Sequence, residues 1–523
     1  MAPCTPGICD PSADDEASSI VAARRARNPN PVQESGIMML SVALAPLLLV
    51  IALIASRRVS TLTAGGIGWL AALAAAWLLR APSLPFASWA VIESAKGAWL
   101  AWQAVAVILA GLFFYRVLRR HEAHLFQADS VAEPLSRGRL WAVCFLLGPF
   151  AESATGFGVG AIVAMAALMR MGLKGPGAAV LALYSQMLVP WGGLAVGTII
   201  GAHLAGEPET ALGLTSAVLT MPLLAGYLGL YWVFIGRLTG PVPFVQKIED
   251  ILWTLLLAWA LWLANRYVAT ELGGVVAPGA LLVVHFLLSR RPDRAMLRRA
   301  GASALPFVSL AALLIATRSI PPLTSALRGT LVLAPFADQP SFPILYNPSF
   351  WLILVGLGVM VATGRLDELP ARLKETWDGG WRAALVTIAF VAMAQVLSGA
   401  GAARLVGEGL RAGLGPAAPL TGPLFGAVGG FLTGSNSASN GMMMAVQAAL
   451  GDGLAGWTAA LQNVAGSNFS MLSPVRVAMA AALIGGGGAD AAIYKRAWPV
   501  AVMLLVILIA EAALLTLPGS PAR

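Results

Sequence analysis

Two segments of the chain place chemically capable groups inside runs that are otherwise apolar. In the first, Gly148-Pro149-Phe150-Ala151-Glu152-Ser153-Ala154-Thr155-Gly156-Phe157-Gly158, a carboxylate stands among glycines. A lipid-facing carboxylate is expensive, so Glu152 should face protein or water, where a buried carboxyl can carry a proton. The other role open to it is to cap a helix start or pair with one basic group. In the second, Gly429-Gly430-Phe431-Leu432-Thr433-Gly434-Ser435-Asn436-Ser437-Ala438-Ser439-Asn440, small hydroxyl and amide groups replace the expected apolar side chains. Unwound backbone and helix N-termini offer N–H donors to an anion, and Ser, Thr and Asn can add to them. That chemistry suits a small carboxylate, although small polar residues also join helices in bilayers.

Each segment is followed by a second polar interruption. Tyr184-Ser185-Gln186 precedes Pro190-Trp191-Gly192-Gly193, and Gln462-Asn463 precedes Gly466-Ser467-Asn468-Phe469-Ser470 and Ser473-Pro474-Val475-Arg476. The Arg476 guanidinium suits two-point contact with a carboxylate, its other reading being an arginine snorkelling to a membrane face. Candidate substrate-binding residues are therefore Thr155, Gly156, Thr433, Gly434, Ser435, Asn436, Ser439, Asn440, Ser473 and Arg476, with Glu152 the candidate proton-coupling residue. Glu93 and Lys96, three apart, are expected to neutralise each other. Glu511, His203 and His285 are isolated, and each is expected to find a structural partner.

Cys4, Cys9, Cys144 and four scattered histidines show no metal-ligand spacing, and no phosphate-binding Gly-Lys-Ser/Thr loop is present, so no cofactor is expected. An intramembrane enzyme would need a nucleophile with a positioned base, and no His or Asp lies near Ser435, Ser437 or Ser439 in sequence. The expectation is a non-enzyme driven by an ion gradient. Sodium coupling and a passive anion channel stay open.

The elements that must hold these residues follow from composition. Apolar residues are 58% and charged residues 11%, less than half the roughly 25% of a soluble domain. Mean hydropathy is +0.78. The chain is an all-α polytopic membrane protein. Apolar runs fall at 37–56, 61–79, 90–115, 139–169, 177–205, 209–236, 248–268, 273–289, 302–317, 348–364, 383–399, 420–450, 454–486 and 495–517, giving about 12–14 transmembrane or re-entrant helices. The runs 139–169 and 420–450 are too long for one upright helix and carry polar breaks, so both should be broken or re-entrant.

The net charge of +9 sits in loops such as Arg57-Arg58, Arg116 to Arg139 and Arg290 to Arg299. These suit an anionic cytoplasmic surface rather than nucleic acid, and place the amino terminus outside. Arg24, Arg25 and Arg27 pull the other way. The expected organisation is a disordered polar tail over 1–36, scaffold helices over 37–138, a first core over 139–206, further scaffold over 207–419, a second core over 420–486, and a last helix with its tail over 487–523.

The two cores align without gaps, Thr155-Gly156 on Thr433-Gly434, Gly148 on Gly426, Met165 on Met443, Gly175 on Gly453 and Leu183 on Leu461. Each has the same order of polar break, helix, glycine turn and long helix with a polar middle. Paired broken helices in two halves point to a transporter binding site at the bilayer midplane.

The order Phe150-Ala151-Glu152, Ala154-Thr155-Gly156-Phe157-Gly158, Gly172-Leu173-Lys174-Gly175, then Phe431-Leu432-Thr433-Gly434-Ser435-Asn436, Ser439-Asn440 and Met471-Leu472-Ser473-Pro474 resembles the lactate permease family over about residues 37–517. The resemblance implies a secondary carrier of lactate or glycolate with protons across the bacterial inner membrane, with two inverted repeats moving against a scaffold. Its partners would be a small carboxylate, a proton and the lipid bilayer, with homo-oligomerisation left open. Many members carry an acidic residue where this chain has Asn436 and a lysine where it has Ser470. Arg476 is then the candidate replacement for that positive charge.

Overall fold

A computed structural model describes residues 31–80, 84–126, 135–290, 292–450, 455–485 and 488–517. Among these, ten helices are long and apolar enough to cross a membrane. The scaffold opens with α1 (Pro31–Ala55), α2 (Thr61–Leu79) and α3 (Phe86–Phe126). Helix therefore begins before 37, while the expected disordered tail over 1–30 lies outside the described residues. The first core comprises α4 (Arg137–Ala142), a π-helical turn at Val143–Leu147, α5 (Gly148–Thr155), α6 (Val159–Arg170), α7 (Gly175–Leu183), a 3-10 segment at Tyr184–Trp191, and α8 (Gly192–Ala205).

Scaffold resumes with α9 (Glu209–Thr239), α10 (Phe244–Tyr267), α11 (Gly273–Arg290), α12 (Arg294–Ser319), α13 (Pro321–Gly329), a hairpin of β1 (Val332–Leu333) and β2 (Phe342–Pro343), α14 (Pro348–Ala362), α15 (Leu369–Gly399) and α16 (Ala402–Leu414). The second core is α17 (Thr421–Thr433), α18 (Asn436–Ala448), α19 (Ala455–Ser470) and α20 (Pro474–Leu483), and α21 (Ala489–Thr516) follows. Helices α13 and α16 and the antiparallel hairpin, with Val332 opposite Pro343, had no apolar-run signal.

Both anomalous runs are re-entrant. Arg139 on α4 and Arg170 at the end of α6 line one cavity beside His285 and Ser289 near the end of α11, so the first hairpin leaves and returns on the same, basic-loop side. In the second, Gly422 near the start of α17 approaches both Gln447 near the end of α18 and Thr458 on α19. Helices α7 and α8 cross from the first hairpin's root to Glu207, which lies beside Gly456 at the second hairpin's root. The roots are thus on opposite faces, and the repeats are inverted.

Close backbone approach fixes these hairpins, because lipid supplies no hydrophobic drive between helices and packing must do so instead. A Cβ on Gly430 would collide with the Gly466 carbonyl oxygen, and Gly426 one turn earlier faces Ala465 and Gln462. In the scaffold, α3 and α15 run antiparallel, Gly97 against Ala392 and Leu109 against Gly380. The first core closes over fully buried Trp141, Phe145, Tyr184, Tyr227 and Tyr231, with Trp141 stacked on Phe145 at 5.2 Å and Tyr184 edge-on to Tyr227 at 5.1 Å. Exposed Leu70, Trp77, Leu252, Leu255, Trp259 and Val506 form the lipid-facing surface.

Several described scaffold charges are paired. Lys96 Nζ lies 3.0 Å from Glu93 and 2.6 Å from Asp338, as their spacing suggested for the first pair. Arg318, stacked on Tyr346, holds Glu271 at 2.8 Å. His203 Nε2 meets Gln339 Oε1 at 3.1 Å. His285 Nδ1 lies 3.4 Å from the Ser289 hydroxyl, as expected, while its Nε2 and Glu511 Oε2 are buried atoms with no hydrogen-bond partner among the described residues.

Candidate functional site

The tip of the first hairpin turns on three consecutive left-handed residues, Gly156 (φ 75°), Phe157 (φ 60°) and Gly158 (φ 81°). Glycine at 158 is required twice over, by its dihedral and because a Cβ there would run into the Arg476 guanidinium. Thr155 closes α5 by donating its hydroxyl to the Ala151 carbonyl at 2.6 Å. The Glu152 side chain reaches over the turn, Oε1 accepting from the Gly158 N–H and Oε2 from the Gly160 N–H, both at 3.0 Å. It therefore caps α6, where a negative charge meets the positive end of the helix. Arg476 Nη2 stands 3.7 Å from Glu152 Oε1, and Glu152 is 2% exposed. Glu152 has both roles considered as alternatives to a free proton site, a cap and a partner to one base.

At the second tip, Gly434 is left-handed (φ 66°) and Ser435 is the N-cap of α18, its hydroxyl accepting from the Ala438 N–H at 3.3 Å. The Thr433 hydroxyl lies 2.7 Å from the Gly429 carbonyl and 3.0 Å from that of Ser435. Behind the tip is a buried amide cluster. Asn436 and Asn440 each donate Nδ2 to Asn463 Oδ1, at 2.9 and 2.8 Å, and Asn440 also donates to the Gly197 carbonyl at 2.9 Å. Asn463 in turn donates to Thr198 and Ser216, at 2.9 and 3.0 Å. This network ties the second hairpin to α8, α9 and α19. Ser473 caps α20 by accepting from the Arg476 N–H at 3.3 Å.

A cavity of about 810 Å³ opens between the two tips. Glu152, Gly156, Thr433, Gly434, Ser435, Asn436 and Arg476 all line it. Thr155, Ser439, Asn440 and Ser473 do not line it; they shape the tips and the network behind them. At the position where many family members carry a lysine, the Ser470 hydroxyl donates to the Ser467 carbonyl at 2.6 Å.

Sequence reasoning missed part of the wall. Exposed Arg382, over the Trp381 ring at 5.2 Å, and Thr387 both line the cavity from α15. The apolar run expected there starts at 383, so Arg382 read as part of a loop. The cavity also reaches Ser60 to Leu62, immediately after Arg57-Arg58, and thus lies toward the basic face.

A second cavity of about 250 Å³ is lined by His203, Glu207, Glu209 and Asn347 toward the opposite face. Val196 lines both cavities, Gly193 the first and Leu194 the second. The wall between them is a turn in which Gly193, Leu194 and Ala195 are all left-handed, at φ 54°, 57° and 59°. Two non-glycine residues held there cost about 1–2 kcal/mol each. Nothing in their residue types signals this. Among the described residues, no group of three His, Cys, Asp or Glu side chains is placed to hold a metal ion.

Two inverted re-entrant hairpins whose tips meet at an ion-paired cavity within a polytopic helical bundle define a membrane transporter. A family model described as L-lactate permease matches residues 40–291 and again residues 262–517, each match containing one core. The chain belongs to the L-lactate permease family. No curated protein matches it.

Proposed function

We propose that this protein is a proton symporter of a small monocarboxylate, L-lactate, D-lactate or glycolate, in the bacterial inner membrane. The observation that carries the reading is the Arg476–Glu152 contact at the wall of the inter-tip cavity. With Glu152 ionised, the guanidinium is engaged by an internal carboxylate. A proton arriving on Glu152 neutralises that partner and leaves Arg476 to accept the carboxylate of the substrate. The same proton weakens one of the two N–H contacts from Gly158 and Gly160, so protonation also loosens the cap of α6. Substrate and proton are then taken up together because two carboxylates compete for one cation.

The positive end of α18 adds to anion affinity, since Ser435 and Asn436 bring that helix start to the cavity wall. Release to the other face follows when the hairpins shift the site past the Gly193–Ala195 turn toward the second cavity. A sodium-coupled reading is favoured by one observation. Asn436 Oδ1 and Asn440 Oδ1, a turn apart on α18, are buried oxygens without a partner among the described residues, as a monovalent cation would require. The test is uptake of labelled lactate and glycolate into proteoliposomes under an imposed proton gradient, with and without protonophore, and then under a sodium gradient alone. Accumulation abolished by the protonophore supports the proton reading. Accumulation driven only by sodium replaces it, and no uptake under either gradient refutes the substrate class.

A further inference from the structure

The second cavity lies between a core helix and a scaffold helix. Leu194, Ile200 and His203 of α8 line it on one side and Leu100 and Ala104 of α3 on the other, and Pro340 adds to its wall. Pro340 belongs to the connection of the β1–β2 hairpin, Ala334-Pro335-Phe336-Ala337-Asp338-Gln339-Pro340-Ser341. Two paired residues on each strand are too few to hold a hairpin in shape alone, so this connection takes its form from its anchors. They lie on α3, where Lys96, Trp99 and Gln103 share one helix face. Lys96 Nζ reaches Asp338 at 2.6 Å, and Trp99 Nε1 and Gln103 Nε2 donate to the Pro340 carbonyl at 2.8 and 3.0 Å. Phe342, 5% exposed, packs beside Trp99 and Trp102 with ring centroids at 6.3 and 6.4 Å. The connection is thus fixed to the scaffold. Toward the core it makes one hydrogen bond among the described residues, Gln339 Oε1 to His203 Nε2 at 3.1 Å.

We propose that residues 334–341 form a fixed strap that gates the outer opening, with the His203–Gln339 contact as its latch. The same helix carries the latch and the wall of the transport cavity, since α8 begins at the Gly193–Ala195 turn and has His203 in its last turn. A displacement of that wall therefore displaces His203 from Gln339. The latch holds while the transport cavity opens toward the basic face and parts when the core turns outward. Three hydrogen bonds to α3, one of them charged, against a single neutral one to α8 decide which side lets go. The inference rests on the proposed exchange of the site between two faces, not on which anion or coupling ion is carried.

The experiment places a reporter cysteine in the second cavity, Ile199→Cys, in full-length protein with Cys4 and Cys9 replaced by Ser; Cys144, fully buried, stays. A membrane-impermeant maleimide is applied to the outer face of right-side-out vesicles. Labelling is expected to be slow with the strap intact and about two- to tenfold faster in Gln339→Ala, the worth of one neutral hydrogen bond. Gln339→Glu keeps an acceptor for His203 and should hold the slow rate. A rate in Gln339→Ala equal to that of the intact strap, or shared by Gln339→Glu, overturns the latch. In a second protein without the reporter, His203→Cys/Gln339→Cys is bridged by a short bifunctional methanethiosulfonate. Exchange of labelled for unlabelled lactate should stop on bridging and return on reduction. Failure of the pair to bridge, or exchange undiminished in the bridged protein, overturns the gate. The labelling rates need no transport, so an unbridged protein that exchanges no lactate counts against the substrate and leaves the latch to be decided by labelling.

Discussion

Replacing Glu152 with Gln removes the carboxylate proposed to accept the proton but keeps the shape of the side chain. The wild-type carboxylate accepts one N–H on each oxygen. The Gln amide can accept from only one of Gly158 and Gly160 and must point its own NH₂ at the other. One lost hydrogen bond in a buried site costs about 1–2 kcal/mol of stability, which lowers the unfolding temperature without preventing folding.

The functional consequence is larger. One proton carried per monocarboxylate allows about tenfold accumulation per unit of imposed pH gradient, since one pH unit is 1.36 kcal/mol. Glu152→Gln should reduce that ratio to one, because Arg476 is no longer engaged in a proton-dependent way. Exchange of labelled for unlabelled substrate across the membrane needs no net proton movement and should persist. Tenfold uphill accumulation by Glu152→Gln, sensitive to protonophore, would refute the competition of two carboxylates for Arg476.

Other positions test the remaining geometry. Arg476→Gln removes a charged hydrogen-bond partner worth roughly 1.5–3 kcal/mol, so KM for the carboxylate should rise by about ten- to hundredfold; Arg476→Lys, a point charge without the fork, should fall between. Arg382→Gln should raise KM several-fold at low ionic strength and converge with wild type at high salt, because an exposed cation at a cavity wall acts through screened attraction; a salt-independent defect would point instead to direct contact. Gly430→Ala places a methyl against the Gly466 carbonyl oxygen and should destabilise by about 1–3 kcal/mol or more. Gly358→Ala, exposed in a helix interior with nothing within 4 Å, is its control and should be neutral or stabilising by up to about 1 kcal/mol. Thermal unfolding in detergent compares the two.

Most of the helical plan was legible because lipid imposes one rule on every spanning residue, and the apolar runs obey it. Boundaries failed where helices extend beyond the apolar part, as in α3 and α15, or where a segment lies outside it, as with α13, α16 and the β1–β2 hairpin. These carry mixed polarity, which a hydropathy reading assigns to loops. The two hairpins were visible because each combines excess length with a polar break, and the Thr155-Gly156 and Thr433-Gly434 match showed that the breaks correspond.

The candidate site was legible by residue type but not by role. Glu152, Asn436 and Arg476 stood out because their polarity conflicts with their surroundings, and a polar group in an apolar run must be satisfied somewhere. Where each is satisfied depends on which helices meet. Glu152 and Arg476 are far apart in the chain and come together only because the second core's last helix packs beside the first hairpin's tip. Asn440 looks like Asn436 in sequence, yet one turn of helix puts it behind the cavity wall.

By itself the sequence determined a polytopic helical membrane protein with two related, broken cores, because hydropathy and glycine placement are local properties. Only the tertiary structure decided that Glu152 answers Arg476, that Arg382 faces the cavity, and that Leu194 and Ala195 hold a left-handed wall between two openings. Those relations arise from contacts between helices distant in the chain, which no local pattern encodes.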